Sequence, residues 1–132
     1  MSATLSDYAV LIDAGFKLSF FQTQEAHVDF NPPDNIILNS STSRPVLCFR
    51  ADPDGAADLK LKVEVQKLGT GDEATVLSLP MKSSEPRTVH EVLGGSQLHT
   101  GTNRFVFKVD EESGGSVSVT DVVLLYRRPV NG

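Results

Sequence analysis

At 132 residues the chain is long enough for one domain that buries about two-thirds of the surface its unfolded form exposes. Its 39% hydrophobic and 22% charged residues exclude a disordered tail, and no apolar run approaches the ~20 residues a membrane helix needs. A formal charge of −5, with no basic cluster beyond Arg127-Arg128, argues against nucleic acid as a partner.

Met1 to Asp7 lacks the basic start and apolar core of a secretory signal, so the expectation is cytoplasmic synthesis, a particle-associated protein, or a mature form. From there period-2 alternation dominates and helical spacing is nearly absent. Strands are predicted over Tyr8–Asp13, Phe16–Phe21, Ala26–Phe30, Asn35–Leu38 and Val46–Arg50. Breakers separate them at Ala14-Gly15, Asn31-Pro32-Pro33-Asp34 and Ser40 to Pro45. Phe20-Phe21 must place one ring on each side of a strand. The single cysteine, Cys48, can form no internal disulfide, and in the run Val46-Leu47-Cys48-Phe49 it reads as a small core side chain.

Asp52-Pro53-Asp54-Gly55 reads as a polar turn before the clearest strand, Leu59 to Val65. There Leu59, Leu61, Val63 and Val65 point one way, and Lys60, Lys62, Glu64 and Gln66 the other. The outward charges suit pairing across an antiparallel sheet. Gly69-Thr70-Gly71-Asp72 ends this strand, and further strands are predicted over Thr75–Leu79 and Thr88–Leu93, the latter with a helical turn as its alternative. In the last third, Phe105, Phe107 and Val109 share one face, Glu111 to Gly115 supplies the reversal, and Val117 and Val119 continue the inward phase. Val122 to Tyr126 is then apolar at every position. Either a β-bulge near Thr120-Asp121 shifts the phase, or the strand is central or covered by a partner. Short strands with turn signals every ten or so residues indicate an all-β antiparallel sandwich or barrel.

The pattern Leu98-x-x-Gly101-x-Asn103-x-Phe105-x-Phe107, followed by Val117-x-Val119-x-Asp121-Val122-x-Leu124-x-Tyr126, resembles the closing strands of galactose-binding-like jelly rolls. That group includes many non-catalytic carbohydrate-binding modules. The resemblance implies a single β-sandwich of about eight to ten short strands over residues 1–132. Gly101 would permit a tight turn, Asn103 would bond its own backbone and Asp121 would fix the approach to the last strand. The chain departs from a sugar binder in having no Trp and only Tyr8 and Tyr126 as tyrosines.

Chemistry is sparse. His27, His90 and His99 lack metal-ligand spacing, and Glu91, Glu111 and Glu112 are the only arguable carboxylates for glycoside hydrolysis, so no enzyme is expected. Asp52, Asp54 and Asp58 bring three carboxylates into one loop, as a calcium site would, but Val63 stands where an EF-hand has its bidentate Glu. The turn is the reading that the residue types fit better, and no cofactor is expected. The leading expectation is a non-catalytic recognition module with glycan as ligand, held by end loops through Asn31, Asp52, Asp54 and Tyr126. The alternative is an assembly subunit, of a viral particle, tail or surface array for example. A homo-oligomer would then meet through Val122, Leu124 and Tyr126.

Overall fold

The computed structural model describes residues 4–12, 14–19, 24–38, 44–54, 59–81, 85–94, 96–109 and 115–129. Nine strands and no helix are found there: β1 (Thr4–Ile12), β2 (Phe16–Ser19), β3 (Glu25–Phe30), β4 (Val46–Asp54), β5 (Leu59–Lys67), β6 (Asp72–Met81), β7 (Arg87–Val92), β8 (Asn103–Val109) and β9 (Ser116–Pro129). Two antiparallel sheets face each other. The five-stranded sheet has β9 flanked by β4 and then β7 on one side, and by β1 and β2 in tandem on the other; the four-stranded sheet runs β3-β8-β5-β6. The expected all-β sandwich is therefore what forms. The strands β3, β5, β7 and β9 finish at one end, here the upper, and β2, β4, β6 and β8 at the lower.

Alternation explains the core. Leu61, Val63 and Val65 on β5, Phe105 and Phe107 on β8, and Val117 and Val119 on β9 are all essentially unexposed. Phe107 joins the layers, with its ring edge-to-face against Phe16 at 5.3 Å and Phe49 at 5.2 Å. Such contacts add to the large area that each aromatic buries. The shared face expected for Phe105 and Phe107 is the core face, which Phe49 also enters, while Phe20 and Phe21 lie outside the described residues.

The bulge expected near Thr120-Asp121 is present. Cys48 opposes Val123 and Arg50 opposes Thr120, so one more residue is spent on β9 than on β4. Asp121 absorbs it with φ 54, a left-handed conformation that Asp tolerates better than most side chains. Inward phase thereby passes from Val117 and Val119 to Val122 and Leu124. Gly15, between β1 and β2, faces the same bulge: a Cβ there would stand 2.6 Å from Thr120 Cγ2 and 2.8 Å from the Val119 carbonyl oxygen. Its φ of +79 also needs glycine, so the edge chain passes the bulge only at this residue.

Several expectations need correction. Val122 and Leu124 are wholly buried and Tyr126 is half-buried against the core, so they are not the surface through which copies would meet. Their neighbours Val123 and Leu125 point outward instead. Cys48 also points out of the sheet, because Leu47 and Phe49 take the inward positions. Asp52, Pro53 and Asp54 extend β4 rather than turning, with Pro53 opposite Val117. Pairing with β7 stops at Ala51, so β4 has one neighbour beyond it, where a proline is tolerated. Asn35–Leu38 is no strand: Ile36 N–H donates to the Pro33 carbonyl at 3.1 Å, and Ile37 N–H to Arg127 at 2.8 Å. Thr88–Leu93, by contrast, is extended and pairs with β4.

Candidate functional site

The outer face of the four-stranded sheet gathers the polar side chains that alternation sends outward. Register sets them in three rows across the strands. The upper row is Asp29, Arg104, Gln66 and Glu73; the middle is His27, Val106, Glu64 and Thr75; the lower is Glu25, Lys108, Lys62 and Ser78. Between them lies a shallow depression of about 300 Å³, bordered by His27, Glu64, Gln66, Glu73, Arg104 and Lys108. Val106 is only 8% exposed although it points outward, because the longer side chains around it close over it. The result is a depression with a mostly polar lining and Val106 covered beneath it.

Ion pairs hold the rim in place. Arg104 Nε and Nη2 donate to the two Asp29 carboxylate oxygens at 2.8 and 3.2 Å, a two-point contact that fixes both groups. That hydrogen bonding keeps the Asp29 carboxyl below its ordinary range, partly opposed by desolvation. Lys108 Nζ reaches Glu64 Oε1 at 2.7 Å, and Lys62 Nζ lies 3.8 Å from Oε2 of the same carboxylate. Lys108–Glu64 is a cross-strand pair of the kind that the sequence suggested for the outward side of β5, whereas Lys62 and Glu64 lie on the same strand. Each is surface-exposed in part and adds little to stability, but together they hold donors and acceptors in fixed positions.

The residues expected to form a loop site do not come together. Asn31 follows β3 at the upper end and accepts a hydrogen bond from Thr102 Oγ1 at 2.5 Å. Tyr126 is at that end too, its ring against Phe30 at 5.7 Å. Burial raises its phenol pKa, with the negative charge of Asp7 adding to the effect. Asp52 and Asp54 are outward residues at the lower end of the other sheet, opposite Ser118 and Ser116. Asp52 takes both contacts of Arg50 Nε, at 2.9 and 3.2 Å. Asp58 lies outside the described residues. Among the described residues, no group of three or more His, Cys, Asp or Glu is placed to hold a metal ion.

The sequence marked Lys62, Glu64, Gln66, Arg104 and Lys108 as outward but not as a site. Its signal was the alternation within each strand. What it lacked was the strand order, which alone brings β3, β8, β5 and β6 side by side.

No protein-family model matches the chain, and no curated protein matches it in sequence. Its fold is similar to solved structures. One is a family 61 carbohydrate-binding module, TmCBM61, in complex with β-1,4-galactotriose (TM-score 0.51, 13% identity, covering 96% of this chain and 70% of that one). Another is a family 29 carbohydrate-binding module (TM-score 0.53, 13% identity, 93% and 89% covered). A variant of a family 29 module complexed with cellulohexaose is equally similar (TM-score 0.53, 13% identity, 92% and 91% covered). At such identities the likeness is one of fold, and the expected resemblance to a carbohydrate-binding-module sandwich stands.

Proposed function

We propose that this chain is a non-catalytic carbohydrate-binding module, and that it takes a neutral oligosaccharide on the outer face of the four-stranded sheet. The observation that carries this reading is the depression over Val106, whose rim is drawn from all four strands. A sugar has hydroxyls that both donate and accept, which suits the mostly polar lining over Val106. His27, Gln66, Glu73, Arg104 and Lys108 offer both kinds of partner. Acidic and basic groups nearly balance there, which favours an uncharged ligand. Four strands at ~4.8 Å spacing make the face about 14 Å across, long enough for a short chain of sugars. The fold neighbours solved with galactotriose and cellulohexaose are consistent with this class of ligand.

Two features favour binding without catalysis. A glycosidase needs one carboxyl whose pKa is raised, so that it can act as an acid. On this face Asp29 is shifted downward instead, and Glu64 is engaged by Lys108 and Lys62. Calorimetry with galactotriose and cellulohexaose tests the reading. Binding is expected, falling about tenfold or more, ~1.4 kcal/mol, in Gln66→Ala and Lys108→Ala, and unchanged in Asp54→Ala or on chelating calcium. Absence of binding to either sugar, or loss only in Asn31→Ala or Asp54→Ala, would overturn it.

A further inference from the structure

The two sheets differ sharply on their outer faces. Leu5, Tyr8, Val10, Val92 and Leu125 are the exposed large hydrophobics among the described residues, with exposures of 42 to 63%. All but Leu5 project from the five-stranded sheet. Register places them in two adjacent rows: Tyr8, Leu125, Val46 and Val92, then Val10, Val123, Cys48 and His90. Isolated exposed hydrophobics are ordinary, but these two rows, apolar at every position except His90, form a contiguous patch of the kind that marks a contact surface.

We infer that this face is where a second copy of the chain packs, sheet against sheet, with the two β9 strands antiparallel across a two-fold axis. The charges at either end of the patch select this occupant. On β9, Arg127 lies one row above the apolar rows and Asp121 one row below, both exposed on the outer face. A two-fold axis perpendicular to the strands, between Leu125 and Val123, sets Arg127 of each copy over Asp121 of the other. The same operation lays each apolar row on the other: Leu125 meets Val123, Tyr8 meets Val10, and Val46 meets Cys48. An isologous contact needs this self-complementarity. Arg50, held by Asp52 at 2.9 Å, also feels the charge of Asp121, which it then shares with Arg127 of the second copy.

The patch spans four strands by about six residues, roughly 400 Å² per copy from strand spacing and rise. Roughly 800 Å² in all falls below the ~1,200–2,000 Å² of stable pairs, so the dimer dissociates readily on dilution. The interface is on the sheet opposite the depression over Val106. On the proposed function, each dimer therefore presents two glycan faces pointing apart, and gains avidity for a polymer that offers repeated sites.

Sedimentation of the full chain from ~10 µM to ~1 mM tests the inference. The mass is expected to climb from 14.3 kDa toward twice that value. Leu125→Glu, at an exposed position, should keep the chain monomeric with its strand signal and melting temperature unchanged. Arg127→Glu should weaken association at least fivefold by facing Asp121 with a like charge. Cys48 is the only cysteine, and across the dimer two of them stand about 12 Å apart by strand rise and sheet spacing. A bis-maleimide of that length is expected to join them in the wild type and not in Leu125→Glu. A monomer at every concentration, or a dimer that survives Leu125→Glu, overturns the interface. Association unaltered by Arg127→Glu overturns its antiparallel arrangement. Sugar titration of the same variant separates this result from the proposed function, because its glycan face is intact.

Discussion

The Asn103 side chain is fully buried at the start of β8 and bonds only to the backbone before it. Its Oδ1 accepts the His99 N–H at 2.9 Å, and its Nδ2 donates to the carbonyls of His99 and Gly101 at 2.9 and 3.1 Å. Those contacts close the upper loop over Leu98, which is 3% exposed. Asn103→Ala removes all three and leaves buried backbone groups without partners, so it should cost about 2–3 kcal/mol. Urea denaturation measures this, and a loss below about 0.5 kcal/mol would mean the loop is held by other contacts. The sequence suggested this role, since an Asn after Gly-Thr at a strand start commonly binds its own backbone. Gly101 lies in the bend before β8, and an added Cβ there would lie 3.0 Å from Cε1 of the His99 ring. Cys48 was misread for a definite reason. Val46-Leu47-Cys48-Phe49 is apolar throughout, so no polar residue fixes which alternate set faces the core.

Among the elements, β9 carries the most information. It is the central strand of its sheet, it is kinked once, and the kink decides which side chains reach the core and which form the apolar outer rows. Asp121 makes the kink at φ 54, a conformation that disfavours a Cβ without a locally bonding side chain. Asp121→Gly is therefore expected to leave stability within about 0.5 kcal/mol, whereas Asp121→Val should cost at least about 1–2 kcal/mol. Thermal and urea unfolding in dilute solution would separate them, and equal stability of the two variants would contradict the backbone account. The break in inward phase at Asp121 was visible in the sequence. That a bulge, rather than a buried or covered strand, resolves it required the register against β4. The end of β4 shows the opposite case: Asp52-Pro53-Asp54 has turn composition, but pairing with β9 holds it extended to Asp54.

At the scale of the molecule, ionisable groups in both sheets set a window of stability. Asp7 is lowered mainly by the Tyr8 N–H, with desolvation opposing and Arg128 assisting; Asp29 is lowered mainly by Arg104. A carboxyl depressed in the fold contributes stability above its unfolded pKa, about 3.9, and loses it as pH falls through the folded value. Cys48 is raised by burial, and Tyr126 by burial and by Asp7. For such acids the contribution is present below the unfolded pKa, and is lost as pH rises through the folded one. Stability is thus expected to be flat from about pH 5 to 8, to fall below pH 4 and to fall again above pH 9. In the double variant Asp7→Asn with Asp29→Asn, the acid limb of a urea-midpoint series should be shallower. An unchanged limb would remove these two carboxylates as its cause.

The sequence alone determined the fold class, most strand positions and the sides on which β5 and β8 present charge. Alternation is a local property, written into consecutive residues and read without knowing what lies beside a strand. Only the tertiary structure decided which strands are neighbours. That order builds the depression over Val106 from β3, β8, β5 and β6, and spreads Asn31 and Tyr126 to one end with Asp52 and Asp54 at the other. It also aligns Tyr8 with Leu125, Val46 and Val92, residues far apart in the chain. Nearly every pairing in this sandwich joins distant segments, β1 with β9 above all. A surface made by such pairings has no local signature, because its residues become neighbours only when the sheets close.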